Sequence, residues 1–159
     1  MVGSILFVCL GNTCRSPMAE GLFRSLLQAE SKVAVDSAGT RVRQIGVPPD
    51  PRAQAAARER GIDISDLQSR QVTEADVAAH DLVFAMDEAS RQDLLLLAPE
   101  SAQGKVRLLL DFAPGYGLKE IPDPFHGGPT DYEQALDLIE GGCAGLLAAL
   151  PHGPISPGS

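Results

Sequence analysis

The stretch Val8-Cys9-Leu10-Gly11-Asn12-Thr13-Cys14-Arg15-Ser16-Pro17 limits what this chain can become more than any other. Before it, Ser4-Ile5-Leu6-Phe7-Val8 is a short apolar run with β-branched and aromatic members, which predicts a buried strand. After it, apolar residues recur at helical spacing from Met18 to Leu27. Pro17 suits the first helical turn, where its missing N–H costs nothing. A strand, a tight loop and a helix thus follow one another. Such a turn gathers backbone N–H groups at a helix N-terminus, where orphan donors and the positive end of the helix dipole coincide to make an anion site.

The residue types in the loop extend that reading. Gly11 admits backbone angles that other residues avoid, and Asn12 tolerates the left-handed region while bonding the loop to its neighbours. Arg15 adds a planar fork that matches two oxygens of a phosphoryl group. Cys9 stands at the mouth, at the end of the strand. N–H donors, a helix end and an arginine around a thiol favour the thiolate, and Ser16 can donate a hydrogen bond to it. A thiolate inside an oxyanion cradle is a nucleophile aimed at phosphorus.

Cys9-x-Gly11-Asn12-x-Cys14-Arg15-Ser16-Pro17, set between a strand and a helix, resembles the low-molecular-weight protein tyrosine phosphatase family, and the resemblance spans most of the chain. It implies hydrolysis of phosphotyrosine through a cysteinyl-phosphate. Cys9 is then the nucleophile, Arg15 binds the phosphate and the transition state, and Leu10, Gly11, Asn12, Thr13, Cys14 and Ser16 complete the phosphate-binding loop. Neither metal nor cofactor is needed, because Arg15 and the helix end supply the positive charge.

A leaving oxygen needs a proton, and Ile121-Pro122-Asp123-Pro124-Phe125 offers a carboxyl stiffened by proline on both sides. By residue type alone Asp123 either starts a turn or is an acid. The resemblance makes it the general acid, and then the base that activates water. The resemblance also implies that Ser37 helps hold Asn12, and that Cys14 forms a disulfide with Cys9 under oxidant, sparing the nucleophile from over-oxidation.

Net charge is −8, which disfavours nucleic acid and anionic membrane as general partners. No apolar run approaches a membrane span, and no basic segment followed by a cleavable apolar stretch opens the chain. Three cysteines argue against a disulfide scaffold and for a reducing cytoplasm, and His80, His126 and His152 are too scattered to pair as metal ligands by sequence. The expected partner is a phosphorylated protein substrate, and nothing in the sequence calls for more than a monomer.

With 159 residues, one domain over 1–150 is expected, followed by a mobile Pro/Gly/Ser-rich tail over 151–159. Helices are predicted from Pro17 to Ala29, from Ala53 to Arg60 with Asp50 as cap and Pro51 in first position, after Thr73, from Glu88 to Leu97, and from Thr130 to Leu150. Further strands are predicted at Lys32–Asp36, Asp81–Ala85 and Lys105–Leu109, with a polar turn at Asp36–Thr40 and a long loop from Asp111 to Gly128. Strand–helix alternation predicts an α/β fold: a four-stranded parallel sheet with helices on both faces and the phosphate-binding loop after strand one. His80 and Cys143 are expected to pack rather than react. Gly141, Gly142 and Gly145 either weaken the last helix or allow close packing.

Substrate choice belongs to the walls around the phosphate. Many tyrosine-specific relatives read Ser-Ala-Gly-Thr-x-x-Trp-His in the second loop. Here the run is Ser37-Ala38-Gly39-Thr40-Arg41-Val42-Arg43-Gln44, so Arg43 and Gln44 replace the aromatic and the histidine. Phe125 and His126 follow Asp123-Pro124 where relatives carry tyrosines, and Phe125 can still stack on a phenol ring. Arg41 and Arg43 either recruit an acidic phosphopeptide or form a solvated basic loop. Thr13 replaces the usual isoleucine, as in a subgroup that acts on phosphoarginine, so protein arginine phosphatase is the alternative activity. Arsenate reduction needs further cysteines after the third strand, and Phe84 to Leu97 has none. A non-enzymatic phosphoprotein binder would have no use for Cys9, Arg15 and Asp123 together.

Overall fold

The computed structural model describes residues 2–150; the tail expected over 151–159 lies outside them. Four strands, β1 (Ser4–Cys9), β2 (Ala34–Gly39), β3 (Leu82–Ala85) and β4 (Val106–Leu108), form one parallel sheet in the order β2-β1-β3-β4. Five helices flank it: α1 (Arg15–Leu26), α2 (Pro51–Glu59), α3 (Glu74–Ala79), α4 (Glu88–Leu97) and α5 (Pro129–Ala149). This is the doubly covered α/β fold expected from the alternation of elements.

Alternation along β1 explains its unbroken apolar run. Ile5, Phe7 and Cys9 belong to one core with α1, α2 and α5, while Leu6 and Val8 belong to a second core with Val77, Val83 and Leu94. A central strand covered on both faces has no polar side to show. On the first face, Phe7 meets Phe23 edge-on with ring centroids 5.7 Å apart. Cys9 shares that face, which directs its sulfur toward α1.

The local stop signals behave as their chemistry requires. The Asp50 side chain accepts from the Arg52 backbone N–H at 2.8 Å with Pro51 next to it, and Gly61 takes φ +77° just beyond α2. Thr73 and Asp76 form a reciprocal capping box on α3. His80 closes α3, its Nδ1 2.8 Å from the Asp76 carbonyl, outside the site.

Two boundaries differ from expectation in ways that matter. Helix α1 begins at Arg15 rather than Pro17, so Arg15 and Ser16 belong to its first turn and lie buried; it ends at Leu26, where Leu27 turns extended. Strand β2 runs through the segment expected to be a polar turn, because each of its residues up to Gly39 has a β1 partner, ending with Gly39 opposite Cys9. Pairing with a buried central strand overrides the polar character of Asp36 and Ser37. Gly39 is where β2 passes the loop between β1 and α1: a Cβ there would stand 2.8 Å from the Leu10 carbonyl oxygen. Leu109, expected to end the fourth strand, instead opens a 3-10 turn, Leu109–Phe112, that runs into the stretch expected as one long loop, and a second, Pro114–Tyr116, lies within it.

Helix α5 settles the role of its glycines as close packing. A Cβ at Gly145 would overlap the Phe112 carbonyl oxygen, and one at Gly142 would crowd Leu109. Cys143, on the same helix, is fully buried in the first core. Among the described residues, no helix is long and apolar enough to cross a membrane.

Candidate active site

At the carboxyl end of β1 the chain leaves the sheet, turns through Asn12 at φ +56°, and enters α1. The left-handed angle expected of Asn12 is what lets the loop fold back over Cys9. The Asn12 N–H donates to Cys9 Sγ at 3.3 Å, and Ser16 Oγ lies 3.0 Å from the same sulfur. Ser16 Oγ accepts from Asn12 Nδ2 at 2.8 Å, and its own proton has two acceptors in reach, the sulfur at 3.0 Å and the Ala38 carbonyl at 3.4 Å. Both contacts fix the position of Cys9 Sγ at the mouth of the loop.

A buried relay holds Asn12. Its Nδ2 also donates to Ser37 Oγ at 3.1 Å, and Ser37 Oγ donates to Glu20 Oε1 at 2.7 Å. Its Oδ1 accepts from the Arg70 backbone N–H at 2.9 Å. Glu20 is 3% exposed, and Arg24 Nη2 pairs with its other oxygen at 2.6 Å. A buried carboxylate without such partners would be costly; with them it is the fixed end of the chain Glu20–Ser37–Asn12–Ser16–Cys9. Ser37 reaches Asn12 because β2 extends to Gly39, as the resemblance implied of Ser37.

Arg15 is as deeply buried as the relay. Its Nη1 donates to Asp87 Oδ2 at 2.7 Å and to the Ile121 carbonyl at 2.8 Å, and its Nη2 stands 3.8 Å from Asp123 Oδ2. One corner of the guanidinium is therefore anchored, while Nε and Nη2 make no hydrogen bond among the described residues. Burial works against the Arg15 charge, but Cys9, Asp87 and Asp123 outweigh it and hold the pKa above its usual value. Burial likewise works against Asp87, yet the Ser90 backbone N–H and Arg15 hold its carboxyl below the usual range. Asp87 also caps α4 through Ser90 N at 2.8 Å.

Cys9, Leu10, Gly11, Thr13, Cys14 and Arg15 form the floor of a cavity of about 190 Å³, and Arg41, Arg43, Asp123, Phe125 and His126 form its rim. Phe125 and His126 meet edge-on with centroids 5.1 Å apart. Of the expected wall residues, Gln44 is not in this rim. It lines an adjoining cavity of about 510 Å³ with Arg43, Val47 and Phe125, and its backbone carbonyl accepts from Ser69 Oγ. Arg41 pairs with Asp93 at 3.2 Å, whereas Arg43 has no ion pair among the described residues.

Cys14 lines the cavity floor and also meets α5. Its sulfur lies 3.4 Å from the Tyr132 hydroxyl, and burial pushes its thiol up to about 11. Burial pushes the Cys143 thiol up as well.

Reasoning from sequence missed Asp87, Glu20, Arg52 and Tyr132 as parts of this site. Asp87 had a usable signal, since it stands just beyond the carboxyl end of β3, where the ligand crevice of such sheets lies. Arg52 lies beside the Asp50-Pro51 helix start read from the sequence, but its contact with Gly127 is distant in sequence, and Glu20 and Tyr132 carry no local mark.

The low molecular weight phosphotyrosine protein phosphatase family model matches residues 4–153. The low molecular weight protein-tyrosine-phosphatase YfkJ of Bacillus subtilis is 39% identical over 150 residues, covering 92% of this chain and 95% of the relative. Among solved structures, a protein tyrosine phosphatase from Entamoeba histolytica superposes with a TM-score of 0.89 at 34% identity, covering 95% of this chain and 98% of that one. The YwlE arginine phosphatase superposes with a TM-score of 0.81 at 34% identity, covering 90% and 92%. That structure has its active-site cysteine replaced by a phosphorylated serine.

Proposed function

This chain belongs to the low molecular weight phosphotyrosine protein phosphatase family, and from that premise we propose that it hydrolyses phosphotyrosine in proteins through a phosphorylated Cys9. The observation that carries the reading is one cavity in which Cys9 Sγ, the unbonded edge of Arg15 and the Asp123 carboxyl meet.

Cys9 attacks phosphorus as the thiolate. The S–P bond forms as the P–O bond to the phenol breaks, and Asp123 gives its proton to the departing oxygen. Asp123, now a carboxylate, takes a proton from water. That water attacks phosphorus, the S–P bond breaks, and phosphate leaves with the Cys9 thiolate restored. Arg15 and the loop N–H groups hold the three equatorial oxygens through both steps with fixed rather than reorganising dipoles. Asn12, Ser16 and Ser37 position the sulfur. The phosphorylated serine of YwlE supports a phosphoryl group carried at the nucleophile position.

The rim favours a phenol ester. Phe125 offers a ring to stack on, and Arg41 and Arg43 fit a phosphopeptide with acidic flanks better than a cationic one. The odd count of three cysteines supports a reducing, cytoplasmic setting.

A second reading, protein arginine phosphatase, has its own support: Thr13 lines the cavity floor, and YwlE shares the fold. Turnover of phosphotyrosine and phosphoarginine peptides by the purified protein, with Cys9→Ser as blank, separates the two. The expected result is a strong preference for phosphotyrosine. Preference for phosphoarginine would overturn it and make Thr13→Ile the next variant. Turnover of neither would leave the non-enzymatic binder. Arsenate reduction has little support, because Cys143 is buried on α5 and the other two thiols share one loop.

A further inference from the structure

Arg52, in the first turn of α2, reaches across to the segment that carries Asp123. Its Nε and Nη2 meet the two oxygens of Asp50 at 3.1 and 3.0 Å, which fixes the plane of the guanidinium. Its Nη1 then donates to the Gly127 carbonyl at 3.1 Å. Two rings lie within cation–π distance of the same group: its centre is 5.5 Å from the Phe125 centroid and 4.9 Å from that of Tyr132.

Both ends of this contact lead into the site. The Asp50 backbone N–H donates to the Thr13 carbonyl at 2.8 Å, so the anchor stands on the phosphate loop itself. At the other end, the Phe125 N–H donates to Asp123 Oδ1 at 3.1 Å and the Gly127 N–H to the Pro124 carbonyl at 2.9 Å. These bonds make residues 123–127 one turn, gripped by Arg52 at its ring and at its last carbonyl. The grip has work to do. Pro122 and Pro124 contribute no N–H to hold the segment, and the Asp123 side chain is 42% exposed, with Arg15 no nearer than 3.8 Å.

We infer that Arg52 is a positioning residue for the leaving-group acid, a clamp anchored on Asp50 that sets where the Asp123 carboxyl and the Phe125 ring stand over Cys9. The inference rests on the phosphatase reading above. Lysine is a poor substitute, because the clamp uses three N–H directions of one plane.

The test exploits the chemistry of the leaving group. A phenol close to tyrosine, with a pKa of about 10, needs the acid's proton as it departs. The far less basic p-nitrophenol hardly does. The measurement is kcat/KM for phenyl phosphate and p-nitrophenyl phosphate with the unaltered protein, Arg52→Met, Arg52→Lys, Asp123→Asn and the Arg52→Met/Asp123→Asn double variant. Both Arg52 variants are expected to lose about tenfold more on phenyl phosphate than on p-nitrophenyl phosphate. With Asp123 already replaced, Arg52→Met is expected to add no further selective loss.

Equal losses on the two substrates, or a selective loss that persists without the Asp123 carboxyl, would overturn the clamp. Should circular dichroism show Arg52→Met unfolded, Arg52→Lys carries the comparison, since it keeps the charge and most of the stem. No turnover by the unaltered protein would overturn the phosphatase reading and the clamp with it. Selective loss in Asp123→Asn beside uniform loss in the Arg52 variants would overturn the clamp alone.

Discussion

Arg15 and Asp87, 72 residues apart in the chain, meet through a 2.7 Å hydrogen bond from Nη1 to Oδ2. Asp87 therefore holds Arg15, the proposed phosphate-binding group, while capping α4, and two variants separate these roles. Asp87→Asn keeps a capping side chain and loses the ion pair; Asp87→Ala loses both. Both are expected to lower kcat/KM for an aryl phosphate by roughly 10- to 100-fold, because a misplaced guanidinium serves the transition state poorly. Only Asp87→Ala is expected to lose a further cap's worth of stability, about 1 kcal/mol. Steady-state kinetics and thermal unfolding check the pair.

The same bond has a pH signature. The Asp87 carboxyl is held below its ordinary 3.8 in the folded protein, so the unfolded chain binds its proton more readily. Its contribution to stability is complete above pH 3.8 and is lost as pH falls through the depressed folded value. Acid unfolding curves of the unaltered protein and Asp87→Asn should therefore converge as pH drops below that point.

Ser37 is the middle of the relay from Glu20 to Asn12. Ser37→Ala leaves Glu20 Oε1 without its 2.7 Å donor and Asn12 without one of its acceptors, both in buried surroundings. The expected cost is about 1–3 kcal/mol of stability. A several-fold fall in kcat accompanies it as Asn12 loosens its hold on Ser16. Urea unfolding and turnover at saturating aryl phosphate measure the two effects.

Arg43 is the rim cation without an ion pair among the described residues, next to a second cavity of about 510 Å³. Phosphotyrosine peptides with glutamate beside the phosphorylated residue should be hydrolysed with higher kcat/KM than lysine-flanked ones. Arg43→Glu should invert that ratio, and added salt should compress it toward unity. An unchanged ratio across peptides and salt would return the two arginines to a solvated basic loop.

The three thiols should differ in reactivity. Cys14, with its pKa pushed up to about 11, and Cys143, raised further and fully buried, should resist alkylation at neutral pH. Cys9, open to the cavity, should alkylate and be protected by inorganic phosphate. Under mild peroxide a Cys9–Cys14 disulfide is expected by peptide mass spectrometry; its absence would leave Cys14 as a packed thiol beside Tyr132.

Gly145 tests the packing of the last helix. Alanine there has nowhere to go, since its Cβ would overlap the Phe112 carbonyl oxygen. Gly145→Ala should lower stability by roughly 1–3 kcal/mol despite alanine's better helix propensity. A rise in melting temperature would show that Phe112 yields.

What could be read along the chain was whatever neighbouring residues decide for themselves. The loop from Cys9 to Ser16, the left-handed Asn12, the Asp50-Pro51 start of α2 and the span of α4 all depend on backbone angles and hydrogen bonds within a few residues. The β1 run announced a buried strand, and strand–helix alternation announced the parallel sheet. Tertiary structure decided the rest. Pairing with β1 drew Ser37 and Gly39 into the sheet and so completed the relay to Glu20. The strand order put Asp87, at the end of β3, beside the loop that follows β1, where it grips Arg15. Helix α2, packed against α5, delivered Arg52 to the turn that carries Asp123. Each of these groups is ionic or hydrogen-bonding, and its partner is distant in sequence, so its role exists only once the hydrophobic cores on the two faces of the sheet have closed and fixed the distance.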